Sequence, residues 1–250
     1  MISTAIGDGV LTVTLNRPEA RNALNGPGYA AFDEALRTAA ADPAIVAVLV
    51  NATGPHFCAG QDLREVAQLS AAEIGSSPFY PFIENLGTFG KPVIAAVEGD
   101  AIGVGMTMLL YVDFVVASTT ARFRTPFVSL GSTAEAGSSL MLSLALGPRQ
   151  AARMLYLGDW LSATDPAAAG LVHAVVPGGQ ALQQARELSQ RLVASSGAAL
   201  AATKRLLVAA REDALAGAFE RERAELLGLL EQPELIALLR SFSEGRAARR

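Results

Sequence analysis

The chain is poor in residues that carry several common kinds of chemistry. Cysteine occurs once, at Cys58, so no disulfide can close within the chain, and this usage fits a reducing compartment. Histidine occurs twice, at His56 and His173. They stand far apart, with no Glu-x-x-His or paired-cysteine spacing beside them, so no metal site is expected. Charge is scarce, at 18% of residues, and the formal net charge of −4 lacks the basic excess of a nucleic-acid binder. Apolar runs long enough to span a bilayer are missing. The nearest, VIAAVEGDAIGVGMTMLLYV, is interrupted by Glu98, Asp100 and its glycines. A Gly-x-Ser-x-Gly elbow is also missing, which leaves a serine-triad hydrolase without support. The opening MISTAIGDGV reads as neither a secretory signal nor an Arg-rich transit peptide, and the chain does not end in a Ser-Lys-Leu-type address. The expected location is cytoplasmic. Arg246, Arg249 and Arg250 read as a short solvated tail.

What is present is apolar: 51% of 250 residues, enough for a large core in one domain or two smaller ones. Val10–Leu15 (VLTVTL) alternates and predicts a half-exposed strand. Asn25-Gly26-Pro27 predicts a helix start, with the helix running to about Ala41. IVAVLV (45–50), VIAAVEG after Lys91-Pro92, FVVAS (114–118) and LVHAVVP (171–177) predict further strands, the β-branched runs buried on both faces. GVGMTMLLYVD reads as helical. Strands alternating with helices give an α/β class up to about residue 178, and only helical patterns follow from Gln180. Ser70–Pro81 is the least periodic stretch and reads as a loop beside a pocket.

Three stretches draw attention. HFCAGQDL (56–63) follows a buried strand, where its Ala-Gly turn can point N–H groups outward; the alternative is an ordinary turn capped by Asp62. EGDAIGVGMT (98–107) matches a dinucleotide fingerprint at Gly103 and Gly105 but has Met108 at the third glycine position. Its other reading is an exposed N–H of Val104 at a helix start, suited to developing negative charge. In PFVSLGSTAEAGSS (126–139), Glu135 is the only ionisable residue between Arg124 and Arg149. It is either a catalyst kept away from water or a cap on a helix near Ser138.

Together, TLNRPEARNALN (14–25), HFCAGQDL, KPVIAAVEGDAIGVG (91–105), the Asp113 position and GLVHAVVP (170–177) resemble the crotonase superfamily, the enoyl-CoA hydratases and isomerases, over nearly the whole chain. The resemblance implies an α/β fold of the ClpP/crotonase-like type: a spiral of repeated ββα units over residues 1–190, then a helical trimerisation region over 191–250. It implies an acyl-CoA substrate, coenzyme A being part of that substrate rather than a separate cofactor, no nucleic-acid or membrane partner, and a homotrimer or dimer of trimers. It implies an oxyanion hole from the N–H groups of Gln61 and Val104, between turns containing Ala59, Gly60, Gly103 and Gly105. Substrate contacts would fall at Arg21, Ala23, Leu24, Asp62, Leu63 and Lys204, the last equally readable as a solvated lysine. Phe127 and Leu130, with Met106 and Met108, are candidates to line the acyl tunnel, and Phe79, Tyr80 and Phe82 to close it.

The resemblance also separates reactions. Hydratases of the family use two glutamates, and those positions are here Thr107 and Phe127. PFVSLG followed by AEAGSS instead resembles the Δ3,Δ2-enoyl-CoA isomerase branch of fatty acid metabolism, whose single glutamate corresponds to Glu135. One carboxylate moves a proton from C2 to C4, and an apolar setting that raises its pKa suits that task. The alternatives are a hydratase-like reaction with a base from in or near the irregular loop, such as Glu65 or Glu73, and a non-catalytic acyl-CoA-binding protein.

Overall fold

Apolar runs that do not alternate become strands covered on both faces. The computed structural model describes residues 1–232 with Leu235, Ala237, Leu238 and Ser241. A hairpin opens it: β1 (Ile2–Gly7) pairs antiparallel with β2 (Val10–Leu15). Its two-residue turn, Asp8-Gly9, has positive φ at both positions, which matches the strand twist. After α1 (Gly26–Ala41), β3 (Ala47–Ala52) lies parallel to β2. Three helices follow, α2 (Leu63–Val66), α3 (Ala71–Gly75) and α4 (Phe79–Thr88). Then β4 (Val93–Val97), β5 (Asp100–Ile102), α5 (Val104–Thr107), β6 (Phe114–Ser118) and β7 (Arg122–Arg124) succeed one another. The remaining elements are α6 (Ser138–Leu146), α7 (Pro148–Ala152), β8 (Leu161–Ser162), β9 (Ala174–Val176), α8 (Ala181–Val193), α9 (Gly197–Ala209) and α10 (Glu212–Leu229).

The main sheet has the order β1-β2-β3-β4-β6-β9, parallel from β2 onward. Side chains alternate between two apolar layers. Val48, Val50, Val93, Ala95, Val97, Val115 and Ala117 face the larger core, whereas Ala47, Leu49, Ile94, Ala96 and Val116 face α8. Ala181, Ala185 and Leu188 of α8, spaced by about one turn each, cover that second face. A boundary at 190/191 therefore runs through α8, a helix packed on the sheet.

The chain winds as a spiral. Three successive turns end in Cys58, β5 and β7, and these lie side by side: Cys58 bridges Ala101 in parallel, and β5 pairs in parallel with β7. One turn earlier, Leu24 bridges Gln61. A second sheet, β5-β7-β8, results. Each loop that follows is thus stacked on its counterpart from the turn before.

Several sequence expectations are corrected. Ser70–Pro81 holds α3, closed by a reciprocal capping box between Ser70 and Glu73, and the start of α4. Five residues are too few to display a helical period. Phe82 packs on α1, centred 4.9 Å from Phe32 and 5.5 Å from Tyr29, whereas Phe79 and Tyr80 border small voids beside Glu135 and Gln61. The helix read in GVGMTMLLYVD is only α5 and a 3-10 turn, Met108–Tyr111, and both Met106 and Met108 are buried in the core. The basic tail lies outside the described residues.

Candidate active site

Two consecutive turns of the spiral place Gly60-Gln61 against Gly103-Val104. Their approach is close: a Cβ on Gly60 would lie 2.9 Å from the Ile102 carbonyl oxygen, and one on Gly103 would lie 3.7 Å from the Gly60 Cα. Both glycines have positive φ, 96° and 55°, so conformation disfavours a side chain at either, and at Gly60 the space is lacking as well. The amides around them are engaged. Ala59 donates to Arg21 O at 2.9 Å, Asp62 to Leu24 O at 2.7 Å and Gly103 to Arg124 O at 2.9 Å. Among the described residues, the N–H groups of Gln61 and Val104 have no protein acceptor. Val104 opens α5, so its N–H is one that a helix leaves free.

These loops border an apolar cavity of about 110 Å³. Ala59, Gly60, Gln61, Leu63 and Gly103 line it together with Phe127, Leu130 and Glu135. The C-terminal region contributes Leu226, Leu230, Leu235 and Leu238.

Glu135 is the acid group that faces this cavity among the described residues. Its side chain does not cap α6; its backbone carbonyl instead accepts from Ser138 N at 3.1 Å. Burial pushes the carboxyl up to about 8, and the neighbouring Glu222 carboxylate adds to the shift. Ala136, directly after it, holds the left-handed conformation (φ 59°), uncommon for a residue with a side chain. Gly137 continues it at φ 68°, where a Cβ would collide with the Tyr111 hydroxyl.

Other candidates are placed as follows. Val104 is fully buried beside the cavity rather than lining it. Gly105 packs α5 against Cys58, with no room for a Cβ. Arg21 is exposed at a left-handed turn, and Leu24 is buried in the strand-like pairing with Gln61. Ala23 is half-buried, its carbonyl accepting from Arg17. Asp62 caps α2 through Arg64 N at 3.1 Å and pairs with Arg17 at 2.7 Å, so its carboxylate is already committed. Lys204 is not brought to the cavity. It is 4% exposed, and its ammonium donates to both oxygens of Asp113 at 2.7 Å. The other acids considered as bases are also occupied. Glu65 accepts from Gly26 N at 2.9 Å, and exposed Glu73 is held by Ser70. Neither lines the cavity.

Sequence reasoning missed Glu222 and Tyr29. Glu222, on α10, is 7% exposed and accepts from Gly137 N at 2.6 Å and Ser139 N at 2.8 Å. In the sequence it sits inside the charged run ERERAE, indistinguishable from a solvated helix face. Tyr29 is buried on α1 with its hydroxyl unpartnered among the described residues. The Gln61 side chain is near enough to offset part of the upward shift that burial imposes on that phenol.

Comparison with known proteins agrees with this architecture. Residues 5–248 match the family described as enoyl-CoA hydratase/isomerase. The chain is 36% identical to the 2,3-dehydroadipyl-CoA hydratase of Escherichia coli K12 over 90% of its own length and 88% of the relative's. It is 35% identical to the peroxisomal enoyl-CoA delta isomerase 3 of Mus musculus, over 68% of this chain and 55% of that one. A solved enoyl-CoA hydratase/isomerase from Pseudoalteromonas atlantica T6c superposes with a TM-score of 0.91 at 34% identity, covering 98% of each chain. A spiral that stacks two free amides over an apolar cavity, matched over nearly its whole length, has one home: the chain belongs to the enoyl-CoA hydratase/isomerase family of the crotonase superfamily.

Proposed function

We propose that the protein is a Δ3,Δ2-enoyl-CoA isomerase in which Glu135 carries the proton. The observation that supports this most is the cavity itself. It gathers one acid group, Glu135, and the free-amide turns at Gln61 and Val104, while the two positions that hold glutamates in hydratases are Thr107 and Phe127. The thioester oxygen accepts from the two amides, and Glu135 as carboxylate removes a proton from C2. The electron pair of that C–H bond forms C1=C2 and the C1=O pair moves onto the thioester oxygen, which carries the charge of the dienolate while C3=C4 stays in place. When the oxygen pair re-forms C1=O, the C1=C2 pair shifts to C2=C3 and the C3=C4 pair takes up a proton at C4. Glu135 then returns its proton to C4, so the reaction consumes nothing and leaves the enzyme unchanged. Each preset donor contributes about 3–4 kcal/mol to the transition state.

A raised pKa supports the assignment. With a value of about 8, Glu135 is held near the working pH, where it both takes and gives a proton readily. Coenzyme A enters as part of the substrate, its nucleotide toward Arg21, Ala23 and Leu24, and no other cofactor is called for. Self-assembly as a trimer belongs to the same reading and is supported by Leu206 and Leu207 on α9, exposed by 74% and 58%.

The test is to mix the protein with a 3-enoyl-CoA and follow the ultraviolet absorbance of the conjugated 2-enoyl thioester, with Glu135→Gln in parallel. Absorbance should rise with wild type and rise at least a hundredfold more slowly with the variant. A 2-enoyl-CoA whose absorbance falls at a comparable rate would instead mark hydration and overturn the reading.

A further inference from the structure

The turn that aims Glu135 is held from outside the stretch that contains it. Ala136 and Gly137 both adopt the left-handed region, a conformation that costs a residue with a Cβ about 1–2 kcal/mol and persists only where surroundings impose it. Two groups impose it here. The Tyr111 hydroxyl donates to the Ala136 carbonyl. Glu222 accepts from the amides on either side of Ser138, Oε2 from Gly137 at 2.6 Å and Oε1 from Ser139 at 2.8 Å. Both of its oxygens are thus spent on one turn, and α10 is tied to the segment carrying the base.

Glu222 also confronts Glu135 directly. Both border a void of about 10 Å³ between α4 and α10, with Tyr80, Glu84 and Arg223 around it. Tyr29 faces Glu135 from α1. Around Glu222 stand Tyr111, with Arg211 over its ring at 5.8 Å, and Arg221 on its own helix. Arg223 lies over the Tyr80 ring at 4.5 Å. Among the described residues neither carboxylate has an ion-pair partner within 4.0 Å.

We propose that Glu222 is the positioning residue for Glu135: it clamps the left-handed turn that aims Glu135 into the cavity and sets the protonation of that group by presenting a second buried carboxylate. The proposal rests on Glu135 being the base, and it deepens that reading. Like charge beside Glu135 disfavours its ionised form, which burial already disfavours. The two backbone N–H donors favour the charged form of Glu222, although burial raises its pKa as well.

The experiment is a carboxyl-carbon NMR titration of protein labelled at glutamate, with the Glu135 signal identified by its loss in Glu135→Gln. In Glu222→Gln the midpoint of Glu135 should fall by about one pH unit or more. In Glu222→Asp, which keeps the charge on a shorter arm, it should stay raised. Because Glu222 ionises first, beside a still neutral Glu135, its own midpoint should stay within a few tenths of a unit in Glu135→Gln. If Glu222→Gln does not fold, the wild-type titration decides the matter, since a Glu222 midpoint above that of Glu135 overturns the proposal. In the conjugation assay, kcat of Glu222→Gln should drop about tenfold to a hundredfold with KM within about twofold, and the acidic limb of its pH profile should move down with the titration. The two readings separate cleanly. A shifted midpoint with no isomerase activity supports the pairing and overturns the isomerase reading. An unmoved midpoint overturns the pairing, whatever the activity.

Discussion

Two carboxylate arrangements at the edge of the core use opposite solutions, one partly open to solvent and paired, the other half-buried beside a second carboxylate. Asp113 follows the core segment at the start of β6; it accepts from Val93 N at 2.8 Å and from the buried ammonium of Lys204. Its charge is neutralised and its geometry satisfied. Among the described residues Glu135 has no ion-pair partner, and it borders a small void with Glu222. The first pair closes the structure where α9 meets the sheet. The second leaves electrostatic free energy uncompensated at the edge of a cavity, which is where a proton carrier is wanted. The sign of the neighbour separates the structural acid from the candidate proton carrier.

The comparison can be broken in several ways. The largest effect is expected from Glu135→Gln, which should slow conjugation about 10²–10⁴-fold, whereas Asp113→Asn should leave the rate per folded molecule within about twofold. A large loss in folded Asp113→Asn would erase the distinction. Next comes stability. Asp113→Ala strands the Lys204 ammonium, 4% exposed, and should cost about 3–5 kcal/mol in denaturant unfolding. A cost below about 1 kcal/mol would mean Lys204 escapes to water.

A pH-dependent difference should follow from Glu135. Its folded pKa of about 8 exceeds the ordinary 4.5, so the folded state binds the proton more tightly than the unfolded chain does. Below about pH 4.5 both states hold the proton and nothing is lost. Between there and pH 8 the unfolded chain ionises first, so wild type loses stability as pH rises, by about 3–5 kcal/mol in all. Glu135→Gln should therefore unfold later than wild type at pH 9, with the gap closing toward pH 4.5. Thermal melts at several pH values would show it, and a constant gap would refute the burial of this charge. The smallest effect is expected from Tyr111→Phe. Loss of its hydrogen bond to Ala136 should cost about 1 kcal/mol and loosen the Glu135 turn without moving the titration midpoint by more than a few tenths.

Legibility followed the range of the interaction. The Asn25 cap and Pro27 start α1 where the sequence says, because a cap is made within three residues, Asn25 Oδ1 accepting from Gly28 N. The doubly buried strands were readable because both faces of β3 and β4 need apolar side chains. Strands β5, β7 and β8 were not, since two or three residues show no period and owe their existence to the neighbouring turn of the spiral. Gly60, Gly103 and Glu135 stood out as isolated signals, but Glu222 lay among charges and looked solvated.

What the sequence by itself determined is therefore local or compositional: an α/β core, its principal helix, and a solitary carboxylate in an uncharged stretch. Only the tertiary structure decided that Gln61 and Val104 stand together with free amides, that Lys204 spends its charge on Asp113, and that Glu222 holds the turn behind Glu135. Those relations join residues up to 91 positions apart. They are set by how successive turns stack and how α9 and α10 fold back, which no short window of sequence contains.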